Sequence, residues 1–213
     1  VEKLGVSSKA TTKKEKVLLD APDLKMHYKD GSKFKVTLKD KNKKPITKEK
    51  INFTVHGKSY IKKTDNKGVA SLEINLKSGN YIILTKFQAT SKYDAISKKS
   101  NITVKSTIKC SDFTKYYTNK ASYYSTFYNQ KGRLLKNTTT KFKINNKEYS
   151  IKTNAKGVGK LAINLKPGKY SIFLTNPKTS ETVSKTVTVK SLIETKDLTI
   201  NGANTGKFSV KIL

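Results

Sequence analysis

Tandem antiparallel β-sandwiches are what this sequence predicts, and three observations predict them. A twenty-residue phrase occurs twice, TDNKGVASLEINLKSGNYII at 64–83 and TNAKGVGKLAINLKPGKYSI at 153–172, with twelve positions identical. Apolar residues alternate with polar ones at a period of two, which buries one face of a strand and wets the other. Turn residues punctuate the alternation roughly every 8–12 residues, the spacing of an all-β sandwich. Nothing resembles a long helical stripe.

The first repeat shows each element in turn. After a lysine-rich lead-in at 1–16, a strand begins near Leu19. Phe34, Val36 and Leu38 share one face of the next, between the turn signals KDGS (29–32) and KNKKP (41–45). Ile51, Phe53 and Val55 define another strand. In TDNKG, Gly68 is expected at positive φ, as Gly157 is in TNAKG, and each opens a half-buried strand carrying Leu72, Ile74 and Leu76 or their counterparts. KSGN (77–80) turns the chain into Tyr81, Ile83 and Phe87, and Ile102 and Val104 close the module. Leu19–Thr85 aligns without gaps onto Ile108–Leu174 at an offset of 89; the offset falls to 85 for ITVKSTI (102–108) and VTVKSLI (187–193). A deletion of that size suits a surface loop. A third copy starts at Ile193, with DLTI (197–200) matching DLKM and DFTK, and Phe208, Val210 and Ile212 repeating the inward pattern of Phe34, Val36 and Leu38. About seven strands per repeat give two immunoglobulin-like modules, 17–105 and 106–190, followed by the start of a third at 191–213. The junction near 105–110 has neither glycine nor proline and is expected to be short and stiff. Residues 193–213 are expected to pack on the second module or pair with another chain.

Composition bounds the function. Only 35% of the 213 residues are hydrophobic, and no apolar run approaches the roughly 18 residues of a membrane span. The N-terminus VEKLGVSSKA lacks the regions of a signal peptide, and a chain starting on Val1 reads as a piece of a longer protein. One cysteine, Cys110, excludes an internal disulfide framework. The net charge is +30, and of 45 basic residues only Arg133 is arginine. The segments 1–16, 17–105, 106–190 and 191–213 carry +3, +12, +14 and +1, so charge is spread along the chain. Nucleic-acid readers favour arginine, whose planar fork matches phosphates and guanine edges. Lysine alone gives diffuse, salt-sensitive attraction to any polyanion. Abundant Lys, Asn, Ile and Tyr also follow from an AT-rich coding sequence.

Candidate chemistry is sparse, and no catalytic, cofactor or metal site is expected. His27 and His56, the only histidines, have Tyr116 and Asn145 at the aligned positions of the second module. No acidic cluster accompanies either, which argues against a metal site or a Ser–His–Asp triad. TDNKG lacks the spaced carboxylates and closing glutamate of a calcium loop, and TNAKG loses its aspartate. Cys110 is expected to be a small buried thiol; a thioester with Gln88 or Gln130 has no motif behind it. A Lys–Asn isopeptide bond, helped by a buried carboxylate, cannot be read from residues this plentiful. Three sequons, at Asn52, Asn101 and Asn137, are candidate N-glycosylation acceptors in a secreted protein, and Asn52, between the inward Ile51 and Phe53, is expected to face solvent. Seven aromatics crowd Phe113–Tyr128. Alignment places Tyr123 and Phe127 inward and Tyr124 and Tyr128 outward, where the first module has Lys35 and Lys39. Together with Tyr116 and Tyr117 they form a candidate binding surface for sugars or a partner protein; the alternative is cross-strand pairing that steadies the sheet.

The order DLKMHYKDGSKFKVTLKDKNKKPI … INFTVHGKSYIKKTDNKGVASLEINLKSGNYIIL resembles the Ig-like repeats of methanogen adhesin-like proteins, lysine- and asparagine-rich archaeal surface proteins. The second copy, FKINNKEYSIKTNAKGVGKLAINLKPGKYSIFL, is similar to them too. The resemblance implies an extracellular, wall-associated array that projects an adhesive region, with no catalytic residues. The expected partners are glycans or proteins on host or partner-microbe surfaces; the lysine charge adds anionic wall polymers as a further target. Two other classes stay open: a polyanion-binding module driven by lysine charge, and accessory repeats of a secreted enzyme.

Overall fold

A computed structural model of the chain describes residues 13–195 and 209–212, and every strand-level statement below refers to them. The lead-in up to residue 12 and Phe208 lie outside the described residues. The chain divides into two compact units, Val1–Lys105 and Ser106–Leu213.

Unit 1 holds eight strands: β1 (Val17–Asp20), β2 (Leu24–His27), β3 (Lys33–Asp40), β4 (Lys50–Val55), β5 (Lys58–Lys63), β6 (Val69–Glu73), β7 (Gly79–Phe87) and β8 (Ile96–Lys105). They form a three-stranded sheet, β1-β3-β6, and a five-stranded sheet, β2-β8-β7-β4-β5. Pairing is antiparallel except between β2 and β8. Unit 2 repeats this with β9 (Ile108–Lys109), β10 (Phe113–Tyr116), β11 (Ser122–Phe127), β12 (Thr139–Ile144), β13 (Lys147–Lys152), β14 (Val158–Ala162), β15 (Gly168–Thr175) and β16 (Thr182–Lys190). Its sheets are β14-β11-β9 and β10-β16-β15-β12-β13. The chain is all-β, two immunoglobulin-like sandwiches in tandem.

Eight strands replace the expected seven because the first strand divides between the sheets. β1 pairs with β3, whereas β2 joins β8 across the sandwich. Pro22, which has no N–H to donate, falls in the break, and Asp23 anchors the new strand by accepting the Asn101 N–H at 2.7 Å. Asp112 does the same for the Thr186 N–H, at 2.8 Å.

Each core lies between its sheets and uses the alternating residues: Phe34, Val36, Leu38, Ile51, Phe53 and Ile83 are at most 1% exposed. Phe34 meets Phe53 edge-to-face at 6.0 Å, and their counterparts Tyr123 and Phe142 meet at 6.4 Å.

The repeated phrase turns out to be three hydrogen-bonding devices and a glycine at positive φ. Thr64 Oγ1 accepts the Glu49 N–H, and Thr153 Oγ1 accepts that of Thr138. Asp65 Oδ1 accepts the N–H groups of Lys67 and Val69, and Asn154 Oδ1 accepts those of Lys156 and Val158. Gly68 and Gly157 have φ of 72° and 69°. A Cβ on Gly68 would lie 2.5 Å from Leu38 O. Tyr81 and Tyr170 each donate from the phenol to the carbonyl four residues back, on Lys77 and Lys166, the tyrosine corner of such sandwiches. None of these groups is free to react; all four hold turns.

After β16 the chain forms β17 (Ile193–Thr195), which pairs antiparallel with β18 (Val210–Ile212). Ile193 faces Ile212, as Leu19 faces Leu38 and Ile108 faces Phe127. The third copy thus opens with the same strand pair in the same register. Ile193, Val210 and Ile212 are 54%, 52% and 80% exposed, so the expectation that this segment packs on the second module does not hold for these side chains.

Candidate functional site

The surface tyrosines divide between the two sheets of unit 2. Tyr124, in the middle strand of the three-stranded sheet, is 55% exposed. Its cross-strand partner is Lys160, whose Nζ sits 5.9 Å from the ring centroid. Tyr116 ends β10 on the five-stranded sheet under its own cross-strand partner, Lys190, at 5.7 Å. Tyr117 follows it, exposed, with its N–H donated to Lys190 O. Tyr128, just past β11, is half-buried and bridges to Leu134. Tyr123 and Phe127 are core residues. Tyr116 and Tyr124 therefore each carry an ammonium over the ring, an apolar face with a positive rim.

Phe173 belongs with them, although the aromatic run at 113–128 draws attention away from it. It is exposed on the outer face of β15, between Lys143 of β12 and Ser184 of β16. One shallow cleft of about 270 Å³ reaches it past Lys143 and Lys169, and another of about 290 Å³ past Lys141 and Glu148. The signal is present in the sequence, since Phe173 follows the inward Ile172 and aligns with Leu84.

The remaining candidates separate by environment. His56 sits exposed in the β4–β5 turn against the Tyr81 ring, and His27 ends the edge strand β2. Among the described residues no three His, Cys, Asp or Glu side chains gather into a metal-binding group. Cys110 is half-buried rather than buried, and desolvation pushes its thiol pKa up, away from the reactive thiolate. Asn52 departs from expectation: it is half-buried between Ile61 and Lys86 of the flanking strands, and its Oδ1 is enclosed without a partner. Its sheet neighbours close over it. Asn101 is exposed but donates from Nδ2 to Asp23 Oδ2 at 3.1 Å, whereas Asn137 lies exposed in a turn.

One constellation has no counterpart in the sequence reading. At one end of unit 2, Thr107, Asn176, Thr179 and Glu181 meet, all at most 3% exposed. Glu181 Oε2 accepts both the N–H and the hydroxyl of Thr107, each at 2.6 Å. Thr107 Oγ1 also lies 2.9 Å from Thr179 Oγ1 and 3.0 Å from Asn176 Nδ2. Asn176 Nδ2 donates to Tyr128 O at 2.8 Å, and its Oδ1 accepts the Lys178 N–H at 3.0 Å. Glu181 Oε1 is buried with no hydrogen bond.

No protein-family model matches the chain, and no curated protein matches it in sequence. Among solved structures it is similar to part of a 1.5-MDa bacterial ice-binding adhesin, at 12% identity and TM-score 0.34 over 84% of this chain. It is similar to a calcium-stabilised adhesin with which an Antarctic bacterium binds ice, at 12% identity and TM-score 0.30 over 84%. The chain spans 65% and 49% of those two chains. The fibronectin(III)-like modules of Clostridium thermocellum CbhA match at 16% identity and TM-score 0.30, over 82% of this chain and 94% of theirs. Likeness at this level carries no functional argument. Among the described residues no helix is long and apolar enough to cross a membrane, which says nothing of a β-barrel.

Proposed function

We propose that the chain is a non-catalytic segment of a cell-surface, adhesin-like protein, of the archaeal type its repeats resemble, and that it acts outside the cell as stalk and contact surface. The supporting observation is the pairing of exposed aromatic rings with lysines on both sheets of unit 2: Tyr124 with Lys160 on the three-stranded sheet, and Tyr116 with Lys190 and Phe173 opposite Lys143 on the five-stranded one. Flat apolar area ringed by ammonium groups suits stacking on the sugars of acidic surface glycans or wall polymers, or on an acidic protein. The modification acceptor under this reading is Asn137, the sequon residue whose side chain is exposed and outside the sheets.

The test is binding of the whole chain to a glycan array and to intact partner cells. The variant Tyr124→Lys/Tyr128→Lys restores the first repeat's Lys35 and Lys39 and should weaken the best ligand at least tenfold, about 1.4 kcal/mol. Unchanged binding by a folded variant would place the adhesive surface elsewhere. Binding that ignores the variant, extends to nucleic acid and disappears with moderate salt would favour the polyanion reading.

A further inference from the structure

The two units share one sandwich yet differ at one end of the core. In unit 1, Phe87 pairs with Ile96 and with Ile51 across the sheet. In unit 2 the aligned positions hold Asn176 and Thr140, and Asn176 donates its N–H to Glu181 O at 2.9 Å, in the place of the Phe87–Ile96 pair. The fold therefore has no need of polar groups here. Unit 2 nevertheless buries a carboxylate, and among the described residues the two ion pairs lie elsewhere, at Lys33–Glu73 and Lys141–Glu148. A buried carboxylate with one oxygen unpaired weakens a fold, so its presence calls for a chemical explanation.

The groups beside it supply that explanation. Thr107 Oγ1 is a hydroxyl nucleophile, Glu181 Oε2 a base 2.6 Å from it, and the Asn176 carboxamide an acyl group whose nitrogen lies 3.0 Å away. We propose that Thr107 and Asn176 form an intramolecular ester cross-link, with Glu181 as the base. Rotation about the Asn176 Cβ–Cγ bond presents the face of the amide carbon to Oγ1. Glu181 takes the hydroxyl proton as Oγ1 adds to Cγ, and charge develops on Oδ1, which the rotation releases from the Lys178 N–H that holds it at 3.0 Å in the resting arrangement. Collapse breaks the Cγ–Nδ2 bond while Glu181 returns the proton to the leaving nitrogen. One C–O bond forms, one C–N bond breaks, and one ammonia leaves; no oxidant or other reactant is needed. Loss of ammonia to solvent draws the reaction forward. Pro177 follows Asn176 and has no backbone N–H, so the competing cyclisation of asparagine onto the next nitrogen is blocked.

The link has a mechanical consequence. β9 contributes only two residue pairs to β11, where β1 contributes four to β3. The ester joins the entry of β9 to the end of β15, 69 positions on, so tension reaching Thr107 passes into the five-stranded sheet through covalent bonds.

Mass spectrometry of the denatured whole chain decides the matter. The wild-type protein should be lighter than its sequence by one ammonia. Trypsin should release residues 106–109 (STIK) joined to residues 170–178 (YSIFLTNPK), and mild base should separate them. Thr107→Val and Glu181→Gln should each recover the full mass, and Thr107→Ser should keep the deficit. A wild-type chain of full mass overturns the proposal, and because that reading requires no variant, a misfolded one cannot obscure it. An ammonia deficit mapped to Asn201–Gly202, the ordinary succinimide site, also overturns it, as does a water deficit mapped to Glu181.

Discussion

Asp65 and Asn154 occupy the same turn, and the exchange shows which atom the turn requires. Both use Oδ1 as a double acceptor for backbone N–H groups, so the second oxygen and its charge are dispensable. Asp40 and Asn129 are exchanged in the same way, whereas Asp30, aligned with Asn119, uses both oxygens, accepting the Ser32 N–H on Oδ1 and the His27 N–H on Oδ2. The charge does make unit 1 sensitive to acid. Hydrogen bonds from the Val69 and Lys67 N–H groups hold Asp65 below the ordinary value of 3.8, and one from the Asn101 N–H does so for Asp23. Desolvation pushes Asp30 upward, but the Ser32 and His27 N–H groups outweigh it and its pKa is lowered too. A depressed folded-state pKa contributes stability that is complete above 3.8 and is lost as pH falls below it toward the folded value. Acidification below that point should therefore expose the core amides of unit 1 to hydrogen exchange before those of unit 2. The double variant Asp30→Asn/Asp65→Asn should narrow the gap. Gly68 gives a second prediction: Gly68→Ala combines a positive φ with a Cβ 2.5 Å from Leu38 O and should cost on the order of 2 kcal/mol in denaturant unfolding. Gly157→Ala, whose nearest contact is 3.1 Å, should cost less. These turn residues were legible because their purpose is local. Thr107, Asn176 and Glu181 were not, since three ordinary residues acquire meaning only when β9 and the β15–β16 turn converge.

At the scale of elements, legibility followed burial. Strands with one buried face, such as β3 and β4, declare themselves by alternation. β5 has all six residues exposed and leaves no such trace. The division of β1 from β2 shows only as a slip of one position, from buried Val17, Leu19 and Ala21 to Leu24 and Met26, in runs too short for periodicity to declare it. Repetition supplied what periodicity could not: the β17–β18 register is that of β1–β3, carried over by alignment alone. β5 also shows how the molecule manages an open edge. It closes the five-stranded sheet, carries exposed Tyr60 and Ile61, and places Lys58, Lys62 and Lys63 along the same short strand. Lysine on an edge opposes pairing with a second chain, because each new strand would bring like charges together and strip their water. The same repulsion acts within the sheet, where Lys50 lies directly opposite Lys63. Replacing Lys58, Lys62 and Lys63 with threonine should therefore leave the fold intact and raise self-association. Sedimentation velocity over a concentration series reads this directly; a monomer throughout would show that the edge is protected by something other than charge.

Across the whole molecule the same lysines set the electrostatic balance. The chain carries 45 basic residues against 15 acidic ones, and among the described residues only two exposed ion pairs form. Most of the positive charge thus meets solvent and other positive charge, and folding concentrates it into two small sandwiches. Self-repulsion of this kind destabilises the compact state while favouring solubility. Salt should relieve it. The screening length falls from about 30 Å at 0.01 M to about 8 Å at 0.15 M, so repulsion between lysines across a sheet or around a unit is strongly reduced over that range. The melting temperature should rise by several degrees, on the order of 5 °C, a shift that corresponds to about 1 kcal/mol for domains of this size. Surface ion pairs would be weakened by the same salt, but two exposed pairs contribute little, so the sign is set by the repulsion. Sodium chloride and sodium sulfate at equal ionic strength separate screening from anion binding: similar curves indicate screening, and a much larger effect of sulfate indicates sites that hold an anion. A melting temperature that fell or stayed level as salt was raised would mean that the lysines are spaced widely enough not to oppose the fold, and that the +30 charge bears on what the surface meets rather than on how it is held together.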